Sequence, residues 1–281
     1  MSIWRSGWPR SSCASTSSSP SCGPGASASC CSPSPGRSGP SVAEATPPGG
    51  VLVALPGTLL PPTIFEGVAL PDGWRWHGVD WLGGPGDGEL TRAAAELCRH
   101  WPPSDTAPAL LVGHSAGGVI ALQLAAALGA RLAGLVLIDT GASAINHGDP
   151  QLPQRLRAQW GEAFIDRFLH RCVGEAALER HGERLRHYAR TCNPERAYRA
   201  MCSLRRLDLT ARLSEIRCPT LVVHGDRDPA RTWQHAMALA EGITGARLAR
   251  LDAGHTPMLE CPGRLSQALG DFLTSRNTGR H

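Results

Sequence analysis

The strongest constraint on the fold is a regular alternation of strand patterns and helical patterns along most of the chain. Continuous apolar runs, VLVAL at 51–55 and ALLVG at 109–113, are typical of strands that are buried on both faces, and RWHGVDW around 76–81 is a weaker strand pattern. Strands that alternate with helices form parallel sheets with right-handed crossovers. The sequence therefore predicts an α/β fold with a mostly parallel sheet and helices on both of its faces.

The alternation stops after the strand pattern LAGLVLID, which ends at Asp139. Several helical patterns follow, without a convincing strand pattern, until the alternation returns with CPTLVVHGD and ARLARLD. We therefore expect a core formed by residues 49–142 and 215–276. Residues 143–214 are predicted to be a helical cap inserted into that core.

The first 48 residues differ from the rest in composition, because they are rich in Ser, Pro, Gly and Cys and contain hardly any large aliphatic side chains. Such a segment buries too little apolar surface to offset the entropy lost on ordering. We expect residues 1–48 to be a disordered low-complexity leader that precedes the folded body.

Composition and charge argue against several classes of function. The net charge of +4, without a long basic run, does not favour a nucleic-acid partner. No apolar run is long enough for a membrane span or a signal peptide, so we expect a cytoplasmic protein without a membrane partner. The 10 cysteines include no C-x-x-C pair, which predicts reduced thiols, and neither a cofactor nor a metal is expected.

The stretch LLVGHSAGGVI contains the pattern Gly-x-Ser-x-Gly, from Gly113 to Gly117, with Ser115 at its centre. The pattern is weak by itself, but here it lies directly between a strand pattern and a helical pattern. That is the context of a nucleophile elbow, in which glycines permit a sharp turn that exposes the serine hydroxyl. The alternative is that Ser115 only caps the following helix.

A serine hydroxyl becomes an effective nucleophile when a histidine accepts its proton and a carboxylate orients that histidine. The sequence offers His255 in the loop LDAGHTP, and it offers Asp226 and Asp228 just after the strand pattern CPTLVVHGD. Asp228 lies further past the strand end than Asp226, so we predict Asp228 as the acid and keep Asp139 as a further alternative. All these candidates lie at the carboxyl ends of strands, where the crevice of a parallel sheet forms.

Acyl transfer also requires backbone N–H groups that stabilise an oxyanion. The amide of Ala116, at the start of the helix predicted after the elbow, is one candidate. The second would come from the loop LPGTLLPP, in which Pro56 has no N–H and Gly57 permits a sharp turn. We predict Thr58 as this second donor, with Leu59 as the alternative.

The segments GHSAGG, CPTLVVHGDRD and LDAGHTPMLECP together resemble the α/β-hydrolase superfamily, in its serine branch with a helical cap. The similarity extends over residues 50–274, and it implies an α/β-hydrolase fold with Ser115 as nucleophile, Asp228 as acid and His255 as base. This chain departs from the family at Pro56, where a histidine is usual. The two antiparallel strands that usually come first have no counterpart, so we expect a sheet of about six strands.

These observations predict a serine hydrolase that cleaves a small-molecule carboxylic ester, lactone or thioester through an acyl-enzyme. Two alternatives remain open. The same three residues could serve acyl transfer, carbon–carbon bond cleavage, or a lyase, cyclase or perhydrolase step, or the chain could bind a ligand with little turnover. Residues 143–214 contain more arginines than acidic residues, which could attract an anionic substrate, although Glu–Arg pairs on solvated helix faces are the simpler interpretation.

Overall fold

The computed structural model of the chain describes residues 49–101 and 108–275. The leader predicted at 1–48 lies outside the described residues, as do residues 102–107 and 276–281. Among the helices of the described part, none combines the length and the apolar character that a membrane crossing requires.

Six strands form one sheet in the described residues, in the order β2-β1-β3-β4-β5-β6, and every neighbouring pair is parallel. The strands are β1 (Val51–Leu55), β2 (Arg75–Gly78), β3 (Ala109–His114), β4 (Gly134–Ile138), β5 (Thr220–Gly225) and β6 (Arg247–Leu251). The predicted α/β fold, with a sheet of about six strands, is confirmed.

Helices connect the strands and cover the sheet. They are α1 (Leu90–Arg99), α2 (Ala116–Leu128), α3 (Leu152–Gln159), α4 (Glu162–Cys172), α5 (Glu175–Thr191), α6 (Pro194–Arg206), α7 (Trp233–Gly242), α8 (Pro257–Glu260) and α9 (Pro262–Ser275). Helices α3 to α6 all lie between β4 and β5, and we refer to them together as the helical insertion.

The central strands form the core of the sheet. Every residue of β1, β3, β4 and β5 is buried, because these strands are apolar on both faces. A fully buried leucine or valine side chain contributes about 1.5–3 kcal/mol to folding, so these four strands supply a large share of the stability. The edge strands β2 and β6 carry arginines and are partly exposed, as expected for strands with only one neighbour.

Strand β2 is shorter than the pattern around 76–81 predicts. The amide of Val79 still donates to the Ala54 carbonyl at 2.9 Å, but the chain then leaves the sheet. The indole N–H of Trp81 donates to the Pro56 carbonyl at 2.8 Å. Through this hydrogen bond Trp81 contacts the loop that follows β1. Trp81 is therefore not part of strand β2.

The sheet order reverses between β1 and β3, and this reversal sets the position of a crevice. The chain leaves β1 towards one neighbour, β2, and later enters the sheet on the other side of β1 as β3. Loops after such a pair of strands diverge and leave a cleft at the carboxyl edge of the sheet. Gly117, in the first turn of α2, lies against the end of β1, where a Cβ atom would be 2.2 Å from the Leu55 carbonyl oxygen.

The helical insertion is hydrogen-bonded to the rest of the fold through polar side chains. Ser203 of α6 donates its hydroxyl proton to Glu89, just before α1, at 2.6 Å. Tyr188 of α5 donates to Asp80, in the segment after β2, at 2.6 Å. These contacts fix the insertion above the carboxyl edge of the sheet.

The close approach of α2 to β1 predicts that Gly117→Ala destabilises the protein. The added methyl group would meet backbone atoms that cannot rotate away, so we expect the free energy of unfolding to fall by about 1–3 kcal/mol, as in overpacked cores. Gly270→Ala is the matched control, because a Cβ atom on Gly270 of α9 meets nothing within 4 Å and alanine favours a helix by up to about 1 kcal/mol. Urea denaturation of both variants measures the difference. Equal stabilities would contradict the proposed packing.

Candidate active site

The backbone of Ser115 has the strained conformation of a nucleophile elbow, with φ of 53° and ψ of −120°. Its amide donates to the Ile138 carbonyl at 3.0 Å, and its carbonyl accepts a hydrogen bond from the Thr140 hydroxyl at 2.7 Å. The end of β4 therefore holds the turn in place. The Ser115 side chain makes no capping hydrogen bond to α2, so the alternative that this serine serves as a helix cap is wrong.

The structure brings the three residues of the predicted triad together. Ser115 Oγ lies 3.0 Å from His255 Nε2, and His255 Nδ1 lies 2.8 Å from Asp228 Oδ2. Only 3% of the His255 side chain and none of the Asp228 side chain is exposed. Because an ionised carboxylate can only accept, Nδ1 carries the proton, and Nε2 is free to accept the proton of the serine hydroxyl.

The surroundings of Asp228 keep its carboxylate charged. Its Oδ1 accepts the amide protons of Ala230 at 2.6 Å and Arg231 at 2.9 Å, while Oδ2 accepts from His255. Burial acts to raise the pKa of Asp228, but the hydrogen bond and charge of His255, together with the two amides, hold it below the usual value. The carboxylate next to His255 is therefore the ionised one.

Neither alternative acid contacts His255. Oδ1 of Asp139 accepts the amide proton of Gly225 at 2.8 Å, across the ends of β4 and β5. Burial raises the pKa of Asp139 well above its usual value, and the negative charge of Asp228 raises it further, so both effects favour the protonated form of this carboxyl group. Asp226 is exposed and forms an ion pair with an arginine of β6.

Asp139, His224 and Asp228 form the one group of described side chains whose ligand atoms lie close enough to hold a metal ion, within 4.8 Å of one another. Within the described residues, neither Asp139 Oδ2 nor His224 Nδ1 makes a hydrogen bond, although His224 Nδ1 lies 3.2 Å from Asp139 Oδ1. Both oxygens of Asp228, however, already accept hydrogen bonds from the protein. The absence of a metal therefore stays a prediction. The cluster consists of two buried carboxyl groups, whose pKa values are shifted in opposite directions, beside an imidazole.

The loop after β1, residues 56–59, lies beside Ser115. Thr58 lines the cavity in front of the serine, and Leu59 has a φ of 60°, which marks a sharp turn. The amides of Thr58 and Leu59 donate to no acceptor within the described residues, whereas that of Gly57 donates to a histidine side chain. Ala116 is the first residue of α2, so its amide precedes the first intrahelical hydrogen bond. Thr58 and Ala116 therefore remain the predicted oxyanion donors.

His114 is a residue whose importance the sequence did not indicate. Its Nδ1 accepts the amide proton of Gly57 at 3.2 Å, and its Nε2 donates to the backbone carbonyl of His255 at 2.7 Å. Burial lowers the pKa of His114 to about 3, and the nearby imidazole of His255 lowers it as well. The neutral ring thus joins the 56–59 loop to the loop of His255. In the sequence it occupies an unspecified position of Gly-x-Ser-x-Gly.

Glu260 is a second residue that the sequence analysis missed. Its carboxylate accepts the amide proton of Gly254 at 2.7 Å and that of Thr256 at 3.1 Å, and it also accepts from the Thr256 hydroxyl. The neighbours of His255 on both sides are therefore held by one side chain. An acidic residue shortly after Thr256-Pro257 is a recognisable signal of a helix start, but not of a role in holding the histidine loop.

A cavity lies in front of Ser115, between the sheet and the helical insertion. Its volume is about 800 Å³, a figure that includes the part open to solvent. His255 belongs to its wall on the sheet side, and Leu152, Phe168 and Met201 line it from α3, α4 and α6. A mostly apolar lining with a few polar groups is typical of sites that bind small organic molecules.

A parallel sheet that carries a serine at a strand-to-helix elbow, hydrogen-bonded to a histidine and through it to an aspartate, defines the class of α/β-fold hydrolases. The chain belongs to the Alpha/beta hydrolase family, whose pattern it matches over residues 38–268. The resemblance seen in the sequence is thereby confirmed.

Several relatives carry more specific names. The chain is 32% identical over 183 residues to a protein of Rhizobium rhizogenes named as a candidate carbamate hydrolase, RutD, covering 60% of this chain and 68% of that protein. It is 29% identical over 250 residues to a pimeloyl-[acyl-carrier protein] methyl ester esterase of Aromatoleum aromaticum, and the match covers 79% of this chain and 97% of that protein. It also resembles the solved structure of a thermophilic esterase from Thermogutta terrifontis, with a TM-score of 0.68 and 28% identity. This match covers 82% of this chain and 92% of that one.

The buried His114 predicts an acid-labile fold. Its pKa is about 3 in the folded protein, against an ordinary value of 6.5, so between these values the unfolded chain binds more protons at this position. The free energy of unfolding therefore rises with pH across this window, by up to about 1.4 kcal/mol per pH unit, and stability is lost as the pH falls from 6.5 towards 3.

Urea denaturation of wild type and of His114→Gln at several pH values tests this expectation. The variant should be less stable at pH 7 and should show a flatter pH dependence, since it has no group to titrate at this site. His187→Gln, at an exposed position of α5, controls for the loss of a surface histidine. Parallel pH profiles for wild type and His114→Gln would show that another group is responsible.

Proposed function

We propose that this chain hydrolyses a small-molecule carboxylic ester, lactone or thioester through an acyl-enzyme formed on Ser115. The single observation that carries the proposal is the continuous chain of hydrogen bonds from Ser115 Oγ through the His255 ring to Asp228, with distances of 3.0 and 2.8 Å. Family membership and the ester hydrolases among the relatives are consistent with it.

The reaction has two steps. His255 Nε2 accepts the proton of Ser115 while Oγ attacks the carbonyl carbon, and the resulting imidazolium, stabilised by Asp228, gives that proton to the leaving alcohol or thiol as the carbon–oxygen or carbon–sulfur bond breaks. A water molecule then gives a proton to Nε2 and attacks the acyl-enzyme. The acid product leaves as the proton returns to Ser115.

The amides of Thr58 and Ala116 are proposed to stabilise the oxyanion in both steps. Two observations support these donors: the Thr58 amide donates to no acceptor in the described chain, and the Ala116 amide is at the positive end of α2. The neutral His114 supports the assignment further, because its bond to Gly57 fixes the loop that presents Thr58. Losing one such donor lowers kcat by roughly a hundredfold to a thousandfold.

We also propose that residues 143–214 act as a cap on the reaction. Support comes from the cavity, whose wall includes side chains of α3, α4 and α6 opposite Ser115. An enclosed site limits the access of bulk water and strengthens the electrostatic interactions of the reacting groups. The insertion would thus define the shape of the substrate, while the carboxyl ends of the strands supply the chemistry.

Ser115→Ala is expected to abolish hydrolysis of p-nitrophenyl butyrate, with a loss of at least roughly a thousandfold in kcat. A fluorophosphonate probe should label the native wild-type protein and should label neither the variant nor heat-denatured protein. The control is Ser214→Ala, which removes an exposed serine outside the cavity. Retained turnover in Ser115→Ala would remove this serine from the mechanism, and an unlabelled wild type would favour a binding protein with little turnover.

The two buried carboxyl groups predict opposite results for two isosteric substitutions. Asp228→Asn removes the charge that stabilises the imidazolium and should lower kcat by up to roughly ten-thousandfold. Asp139 makes no hydrogen bond with His255, and its raised pKa favours the neutral form, which an amide resembles, so for Asp139→Asn we expect less than about a tenfold change. Steady-state kinetics of both variants, with circular dichroism as a check on folding, measures the contrast. A silent Asp228→Asn beside a damaging Asp139→Asn would reverse the assignment of the acid.

A further inference from the structure

The cavity wall contains more basic than acidic side chains. Arg171, Arg205 and Arg231 line it, and Asp149 is the acidic side chain among the residues that form this wall. Asp149 is already neutralised, because it forms an ion pair with Arg155 and accepts the amide proton of Gln151. The cavity therefore carries an excess of positive charge beside the candidate nucleophile.

Arg231 is the most unusual of these residues. It is only 4% exposed, yet within the described residues its guanidinium group forms neither a hydrogen bond nor an ion pair. The backbone amide of Arg231, in contrast, donates to Asp228 at 2.9 Å. A buried charge without a partner is strongly unfavourable, so a site that retains one is arranged for a partner that comes from outside the chain.

The nearest carboxylate does not satisfy Arg231. Asp228 attracts its positive charge through space, but both oxygens of Asp228 are occupied by His255 and by two backbone amides. Moving Asp228 onto the guanidinium group would break its hydrogen bond with His255. The five N–H donors of Arg231 are thus left for another acceptor.

A second guanidinium group lines the same cavity. Arg205 of α6 donates from Nη1 to the carbonyl of His147 at 3.0 Å, which orients its side chain along the same wall, and it forms no ion pair with any described acidic residue. Burial lowers the pKa of Arg231, and the positive charge of Arg205 lowers it further although Asp228 opposes both effects. Two like charges on the wall of one cavity repel each other, and an anion bound between them would offset that repulsion.

We propose that the substrate of this hydrolase is an anionic ester or thioester, whose carboxylate binds Arg231 and Arg205 while its reacting carbonyl lies at Ser115. This inference rests on the proposed function, and it adds the chemical class of the substrate. A carboxylate suits the site because a guanidinium group binds it through two parallel, charge-assisted hydrogen bonds. The carboxylate can belong to the acyl part or to the leaving group, and the experiment separates these two cases.

The competing explanation is that Arg231 acts only within the protein, by stabilising the charge of Asp228 or by packing. That explanation predicts equal losses of activity on charged and neutral substrates after substitution. Binding of a substrate carboxylate predicts a selective loss on charged substrates. The ratio of two kcat/KM values for matched esters therefore discriminates between them, because effects on the triad cancel in the ratio.

Two pairs of probes make the comparison. For the acyl side, monomethyl adipate is compared with methyl 6-amino-6-oxohexanoate, which replaces the carboxylate by an amide of nearly equal size. For the leaving group, 4-acetoxybutanoate is compared with 4-acetoxybutanamide. Released acid is measured by titration at pH 7.5. We expect at least a tenfold preference for the carboxylate within one pair, and the pair that shows it identifies the side of the substrate that carries the charge.

Arg231→Met should reduce this preference by about tenfold to a hundredfold, mainly through KM, as expected when charge-assisted hydrogen bonds are lost. Arg231→Lys should keep part of it, and Arg205→Met should show a smaller reduction. Arg184→Met is the matched control, because it removes the same charge from an exposed position of α5 outside the cavity, and it should leave the ratio unchanged. Circular dichroism and Tm establish whether each variant folds.

Binding without turnover gives an independent measurement. Calorimetry on Ser115→Ala should detect tighter binding of monomethyl adipate or 4-acetoxybutanoate than of the matching amide, and Arg231→Met in the same background should remove the difference. Absence of any carboxylate preference in wild type and in Ser115→Ala overturns the proposal. A preference that persists in folded Arg231→Met overturns the role of this arginine.

The proposed substrate class and the proposed hydrolase mechanism can fail separately. If neutral esters are hydrolysed through Ser115 but carboxylates are not preferred, the substrate class is wrong and the proposed function stands. If carboxylates bind to the cavity in an Arg231-dependent manner while Ser115 neither turns over esters nor reacts with a fluorophosphonate, the anion site stands and the hydrolase mechanism is wrong.

Discussion

The candidate site depends on one buried, uncharged imidazole. His114 ends β3 directly before Ser115, accepts a hydrogen bond from Gly57 after β1, and donates one to the backbone of His255 after β6. Full burial and the nearby His255 ring lower the pKa of His114 to about 3. Protonation would also place a second donor against the Gly57 amide. Three loops that come from distant parts of the chain are thus held in register by a single side chain.

Much of this arrangement could be predicted from the sequence, because its strongest signals are local. The continuous apolar runs of β1, β3, β4 and β5 report burial on both faces, and the glycines around Ser115 report a sharp turn. The order Ser115, Asp228, His255 then indicated which strand ends should meet. The structure places these three side chains within hydrogen-bonding distance, whereas Asp139 and Asp226 contact other partners.

The residues that sequence analysis missed act across long separations or through the backbone. His114 bonds to a residue 57 positions away and to another 141 positions away, and no periodicity in a single sequence reports such pairs. Glu260 accepts hydrogen bonds from two backbone amides beside His255. Almost every residue has a backbone amide, so the sequence does not indicate such a pairing. Arg231 looks like any other arginine in a loop, and only its burial without a partner distinguishes it.

The negative charge of Asp228 connects the chemistry of the site with its proposed preference for anionic substrates. Asp228 stays ionised because His255 and two amides stabilise its charge, and a second ionised carboxylate at Asp139 would raise the pKa of both groups. The same ionised Asp228 lies near Arg231 without pairing with it, so it lessens the electrostatic cost of burying that guanidinium group while leaving the N–H donors unused. Arg231 comes from the sheet side and Arg205 from the helical insertion, so an anion bound by both would bridge the two parts of the protein. Under the proposed function, an anionic substrate bound by both arginines would therefore stabilise the position of the helical insertion over the cavity.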